Sequence, residues 1–147
     1  RGVSSPPCAA RRAIRLSGGQ KHLPLHTMEI STTMAKLPPV HDDTFEKEVL
    51  NSSQPVLVDF HATWCGPCKA LAPTLETLSQ DYTGKVKFLA LDIDEARMTA
   101  QRFGVMAVPT MLIFNQGQVV KQMTGNRPKG EIQGALDEVL TAKQQRA

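Results

Sequence analysis

A chain of 147 residues, 41% hydrophobic and 21% charged, has the size and polarity of one domain around a single core, and no apolar run approaches the roughly 18 residues that a membrane-spanning helix needs. The net charge of +3 is unevenly placed: five of the 17 basic residues precede Glu29, leaving 12 basic against 14 acidic, a net of −2, in the rest. That body lacks the clustered Lys and Arg of a nucleic-acid binder, and three cysteines (Cys8, Cys65, Cys68) do not make the disulfide framework of a small secreted protein, which favours a reducing compartment.

Residues 1–37 are rich in Ser, Pro, Gly and Arg without a sustained apolar period, so they are predicted to be a disordered leader ahead of a domain at 38–142. The Arg-rich, acid-poor composition fits a mitochondrial transit peptide. Met28 and Met34 are alternative starts, which would make the upstream residues a non-native extension; since the first residue is Arg1, the true start is expected to lie elsewhere. Cys8, His22 and His26 fall in or near this stretch and are read, with His41, as outside the chemistry.

From Asp42 the pattern changes. Asp42 or Asp43 can cap a helix that carries Phe45, Val49 and Leu50 on one side. Val56–Phe60 is an apolar run broken only by Asp59, the mark of a strand covered on both faces. Cys68, Leu71, Ala72, Leu75 and Leu78 recur at helical spacing, which predicts a helix from Cys65 to about Asp81, kinked at Pro73. A strand over Val86–Leu91 follows, then a short helix capped by Asp94 and ended by Gly104. Thr110–Phe114 and Val119–Met123 are two strands joined by residues 115–118, too short for anything but an antiparallel hairpin. Ile132, Ala135, Leu136, Val139 and Leu140 line one face of a last helix, and residues 143–147 form a polar tail. The fold class is α/β: a mixed sheet with helices on both faces, ending in a hairpin and a helix.

The chemistry concentrates at Trp64-Cys65-Gly66-Pro67-Cys68-Lys69. A Cys-x-x-Cys where a strand turns into a helix reads as a thiol redox site. The alternatives are half a zinc site or two incidental core thiols; with no second Cys/His pair at ligand spacing, no metal is expected.

Val56-Leu57-Val58-Asp59-Phe60, the Trp-Cys-Gly-Pro-Cys-Lys hexad, Val108-Pro109-Thr110 and Gly125 together resemble the thioredoxin family, in order and separation, over about Leu37 to Leu140. The resemblance implies the thioredoxin fold and a protein-disulfide reductase. On this view Cys65, at the positive end of a helix, is the exposed attacking thiolate; thioredoxins are themselves the standard example of that effect. Cys68, one turn on and turned inward, resolves the mixed disulfide. Pro67 stiffens the first turn, and by resemblance favours the dithiol, while Gly66 lets a partner backbone approach.

Asp59, buried among apolar neighbours, is expected to have a raised pKa; the resemblance makes it the proton acceptor for Cys68, against the plainer reading of a structural aspartate. The resemblance also implies a cis Val108–Pro109 bond opposite the cysteines, with the Val108 backbone pairing to an extended substrate. Trp64, Gly66, Pro67, Met106, Ala107, Val108, Pro109 and Gly125 would then form the docking surface. His61 stands where most relatives carry tryptophan and Ala90 where many carry lysine. Without a Gly-x-Gly-x-x-Gly site the chain is expected to bind no cofactor, and the resemblance implies electrons from NADPH through a flavin-containing thioredoxin reductase. Disulfide-containing proteins are the expected targets, with no nucleic-acid or membrane partner, for a monomer in the cytoplasm or, if residues 1–37 are a transit peptide, the mitochondrial matrix. A disulfide oxidase or isomerase and a scaffold subunit are the rival functions.

Overall fold

A strand apolar on both faces needs cover above and below and neighbours on either edge, and β1 (Val56–His61) has all four. In a computed structural model that describes Gly2 and residues 36–145, β1 pairs parallel with β2 (Lys87–Asp92) and antiparallel with β3 (Thr110–Asn115). β4 (Gln118–Thr124) pairs antiparallel with β3 and completes the order β2-β1-β3-β4. The sheet is mixed, as the alternation of elements predicts. Outside β2, residues 38–40 add a short parallel stretch: the Val40 N–H donates to the Ala90 carbonyl and the Ala90 N–H to the Pro38 carbonyl, both at 2.9 Å. The expectations for residues 3–35 of the leader, with its transit-peptide reading, Cys8, His22, His26, Met28 and Met34, lie outside the described residues, while Leu37, at its predicted end, packs against the core.

Alternation along β1 assigns the two faces. Leu57 turns toward α1 (Gly66–Asp81) and α3 (Lys129–Gln145), whose Leu71, Leu75, Leu78, Ile132, Leu136 and Val139 pack against it. Val56, Val58 and Phe60 turn the other way, against Ala100 of α2 (Arg97–Arg102) and against Phe45 and Val49. On that side the rings of Phe45, Phe103 and Phe114 meet at centroid distances of 5.1 to 5.6 Å.

Several local expectations are corrected. The predicted first helix is a single π-helical stretch, Glu46–Leu50, and no side chain caps it. Asp42 instead reaches the start of α2, where its carboxylate accepts from the Thr99 N–H (2.8 Å), the Thr99 hydroxyl (2.6 Å) and the Met98 N–H (3.3 Å). The Thr99 hydroxyl bond is the main reason the Asp42 carboxyl lies below the usual range. Asp94 does not cap α2, whose N-cap is Ala96; it accepts from the indole of Trp64. Helix N–H groups need acceptors, and here a residue 57 positions away in the chain supplies them.

The hairpin is tighter than predicted. Gln116 and Gly117 alone form its loop, at φ of 52° and 77°, the two positive values of a type I′ turn. α3 runs on to Gln145, beyond the predicted start of the polar tail. α1 is continuous through Pro73.

Candidate active site

Cys65 has extended backbone angles (φ −88°, ψ 110°) and is the N-cap of α1, so the helix begins at Gly66. Pro67 occupies the first turn, where its missing N–H leaves no bond unmade. The Cys68 N–H donates to Cys65 Sγ at 3.2 Å, so the sulfur takes the place that a Ser or Asp oxygen holds in an ordinary cap. One turn of helix brings the two Cα atoms to 5.3 Å, and the cysteines are joined as a disulfide.

Cys65 and Cys68 are only 4% and 5% exposed in this oxidised state, so the expected greater exposure of Cys65 is not seen. The ring closed by the disulfide holds both sulfurs against Ala62, with Ile93 and Val108 packed beside them. What separates the two is their setting. Cys65 receives the helix N–H, while Cys68 lines a cavity of about 520 Å³ together with Asp59.

Val108 thus comes against the cysteines from the loop before β3. The Val108–Pro109 peptide is cis, as the resemblance implies. The Pro109 carbonyl accepts from the Gly125 N–H at 2.8 Å, and Gly125 has a φ of 87°, in the region that favours glycine. The Thr110 hydroxyl donates to the Ala107 carbonyl at 2.7 Å and closes the same loop. Around this framework Gly66, Pro67 and Ala107 are exposed, Met106 is 97% exposed and Trp64 is 67% exposed. Trp64 is nonetheless oriented, because its Nε1–H donates to Asp94 at 2.9 Å. Asp94, Thr110 and Ile93 are the members of the site that sequence reasoning missed; the Trp64–Asp94 bond spans 30 residues and leaves no local pattern to find.

Asp59 lies on the α1 side of β1 and is 5% exposed. Its Oδ1 has no hydrogen-bond partner. Burial pushes its pKa up to about 7, because the ionised carboxylate is the form that loses most by leaving water. Its lateral neighbours in the sheet are Ala90 on β2 and Met111 on β3, neither of which offers a charge. Ala90, directly beside the buried carboxyl, presents only a methyl group. No group of three or more His, Cys, Asp or Glu among the described residues is arranged to hold a metal ion.

A disulfide of this kind opens and closes by passing two electrons to or from a partner through thiolate attack, and on this fold it defines a thiol–disulfide oxidoreductase. Comparison with known proteins gives the family. The Thioredoxin family model matches residues 36–138, and the chain belongs to that family. It is 44% identical over 107 residues to a protein named Thioredoxin from Synechocystis sp., covering 73% of this chain and all of the relative. Thioredoxin 2 of Chlorobaculum tepidum is 48% identical over 97 residues, 66% of this chain and 89% of the relative. Thioredoxin M-type, chloroplastic, of Brassica napus is 40% identical over 112 residues, 76% of this chain and 63% of the relative.

Proposed function

We propose that the protein reduces disulfides of other proteins, with Cys65 as nucleophile, Cys68 as resolving thiol and Asp59 as acceptor of the Cys68 proton. The observation that carries this division of labour is the Cys68 N–H directed at Cys65 Sγ. When the disulfide is opened, the same donor and the positive end of α1 stabilise a Cys65 thiolate. That thiolate attacks a target disulfide and forms a mixed disulfide. Cys68 then loses its proton to Asp59, which faces the same cavity, attacks Cys65 and releases the reduced target.

Targets dock on Trp64, Gly66, Pro67, Val108, Pro109 and Gly125, extended by Met106 and Ala107. The exposed indole and thioether supply apolar contact, and the backbone beside Val108 offers strand-like hydrogen bonds to an extended segment. Electrons come from NADPH through a separate flavin-containing thioredoxin reductase, and the chain itself binds no cofactor. The working domain is 38–142, acting as a monomer, with residues 1–37 as a leader and 143–147 as a tail. The cytoplasm is the proposed location. The acid-poor composition before Glu29 supports an organelle as the alternative, and a relative named chloroplastic is consistent with one; mass spectrometry of the native N-terminus decides between them.

Reduction of insulin disulfides by the full chain, with NADPH and a thioredoxin reductase, tests the function. Turnover that depends on the reductase and on Cys65 is expected. No turnover, together with a reduction potential far more oxidising than a cytosolic poise, assigns the chain to the oxidase or isomerase class; a cellular phenotype that survives replacement of both cysteines by serine assigns it to the scaffold class.

A further inference from the structure

In the proposed cycle Asp59 can take the Cys68 proton only when it holds none, so a protonated Asp59 must first pass its own proton to water. Its surroundings make that a structural problem. The carboxyl is 5% exposed, its Oδ1 has no partner, and its two lateral neighbours, Ala90 and Met111, cannot carry a proton. The exit is the cavity of about 520 Å³, which both Asp59 and Cys68 line. Its walls pass from these buried groups through half-buried His61 and Ala90 to exposed Lys36 and Lys69 at the rim. A cavity of this volume with an unpaired carboxyl oxygen at its floor has room and polarity for ordered water.

His61 follows Asp59 by two residues on β1, so the two side chains leave the same face of the strand with about 6 to 7 Å between their origins. A gap of that size is one that a single water can bridge. The other titratable groups lining this space are Lys36, from the segment before β2's outer partner, and Lys69 and Glu76 from α1; Asp92 lies opposite His61 on β2 without lining it. A lysine ammonium has no lone pair with which to accept a proton, whereas an imidazole has two ring nitrogens. One of them can accept a proton while the other gives one up.

We infer that His61 relays the proton between Asp59 and solvent through water in this cavity, and so sets how fast Asp59 is made ready for the resolving step. The inference rests on Asp59 being the proton acceptor. The atoms balance: the Cys68 S–H bond breaks, Asp59 takes the proton, and the Cys68 sulfur forms the Cys65–Cys68 bond. The target sulfur leaves with the electron pair. The proton then passes from Asp59 by water to one imidazole nitrogen, while the other nitrogen gives a proton to solvent.

The test uses the full chain and variants His61→Ala, His61→Gln and Asp59→Asn. The reduced protein is mixed with an oxidised model peptide, quenched in acid, and the decay of the Cys65 mixed disulfide is followed by mass spectrometry across the pH range around 7. His61→Ala is expected to slow resolution by about tenfold near neutrality, with the gap closing as alkaline conditions deprotonate Cys68 directly. Added free imidazole is expected to restore most of the rate to His61→Ala and none to Asp59→Asn, and His61→Gln is expected to stay slow. Wild-type rates in His61→Ala with a slow Asp59→Asn overturn the relay and leave Asp59 in place. Full activity in His61→Gln, or a slow His61→Ala that imidazole does not rescue, makes His61 a packing residue and also overturns the relay. An unimpaired Asp59→Asn removes the underlying reading of Asp59 itself.

Discussion

The two faces of the sheet are built from the same strands and serve opposite ends. The face under α2 is sealed: Val56, Val58, Phe60, Leu112 and Phe114 are at most 1% exposed and meet the aromatic group of Phe45 and Phe103. The face under α1 and α3 is also fully buried around Leu57, Leu71 and Leu136, but toward Cys68 it opens into the cavity that Asp59 lines. A carboxyl placed in a sealed apolar layer would be protonated and useless; one placed in open water would be ionised and a poor base. The half-open cavity leaves its pKa at about 7, which suits the proton-acceptor role proposed for it. The chemistry is thus placed where packing has been given up.

That contrast can be broken from either side. The largest effect belongs to Cys65→Ser, which is expected to abolish reductase-dependent insulin reduction, a fall of at least about a thousandfold, with the thermal midpoint of the reduced protein nearly unchanged. Phe114→Ala does the reverse. Removing a ring that touches both Phe45 and Phe103 is expected to lower stability by about 3–5 kcal/mol in urea unfolding, while the rate per folded molecule stays close to that of the parent.

Asp59 joins the two properties, and its effect has a definite sign. Its carboxyl is protonated in the folded state up to a pH of about 7, but in the unfolded chain only up to its ordinary 3.8. Between those values the folded form binds the extra proton, so stability falls as pH rises from about 4 to 7 and then levels. The fall attributable to this residue is on the order of 4 kcal/mol. Asp59→Asn should remove it, so the variant gains on the parent in urea unfolding at pH about 8 relative to pH about 4. Parallel pH curves for the two proteins would show that Asp59 is not protonated in the fold.

Smaller effects probe the turns and the surface. At Gly117, φ is 77° and an added Cβ would come within 3.0 Å of the Leu50 carbonyl oxygen. Gly117→Ala is therefore expected to lose about 1–2 kcal/mol of stability with insulin reduction unchanged. Asp94→Ala frees the exposed Trp64 indole and should raise the KM for a protein substrate by about twofold, with kcat unaltered.

Much of this was legible in the chain because it is written locally. The apolar run around Asp59, the helical spacing of Leu71, Leu75 and Leu78, and the short link between β3 and β4 each depend on neighbours within a few residues, and each appears where it was expected. The cysteine pair is local in the same sense, since one helical turn brings the two together. The helix caps were misread for the complementary reason. Asp42 and Asp94 have the right side chains to cap the helices nearest them, yet their partners, Thr99 and Trp64, lie 57 and 30 residues away.

By itself, then, the sequence determined the order of strands and helices, the α/β class, the redox pair and the placing of a carboxyl inside a strand, because periodicity and short-range turn chemistry suffice for those. Only the tertiary structure decided that both cysteines are buried in the disulfide state, that Val108 packs beside them, and that Asp59, Cys68, His61 and Ala90 share one half-open cavity. Burial and cavity shape are properties of surfaces brought together from distant parts of the chain. No single stretch of residues carries them.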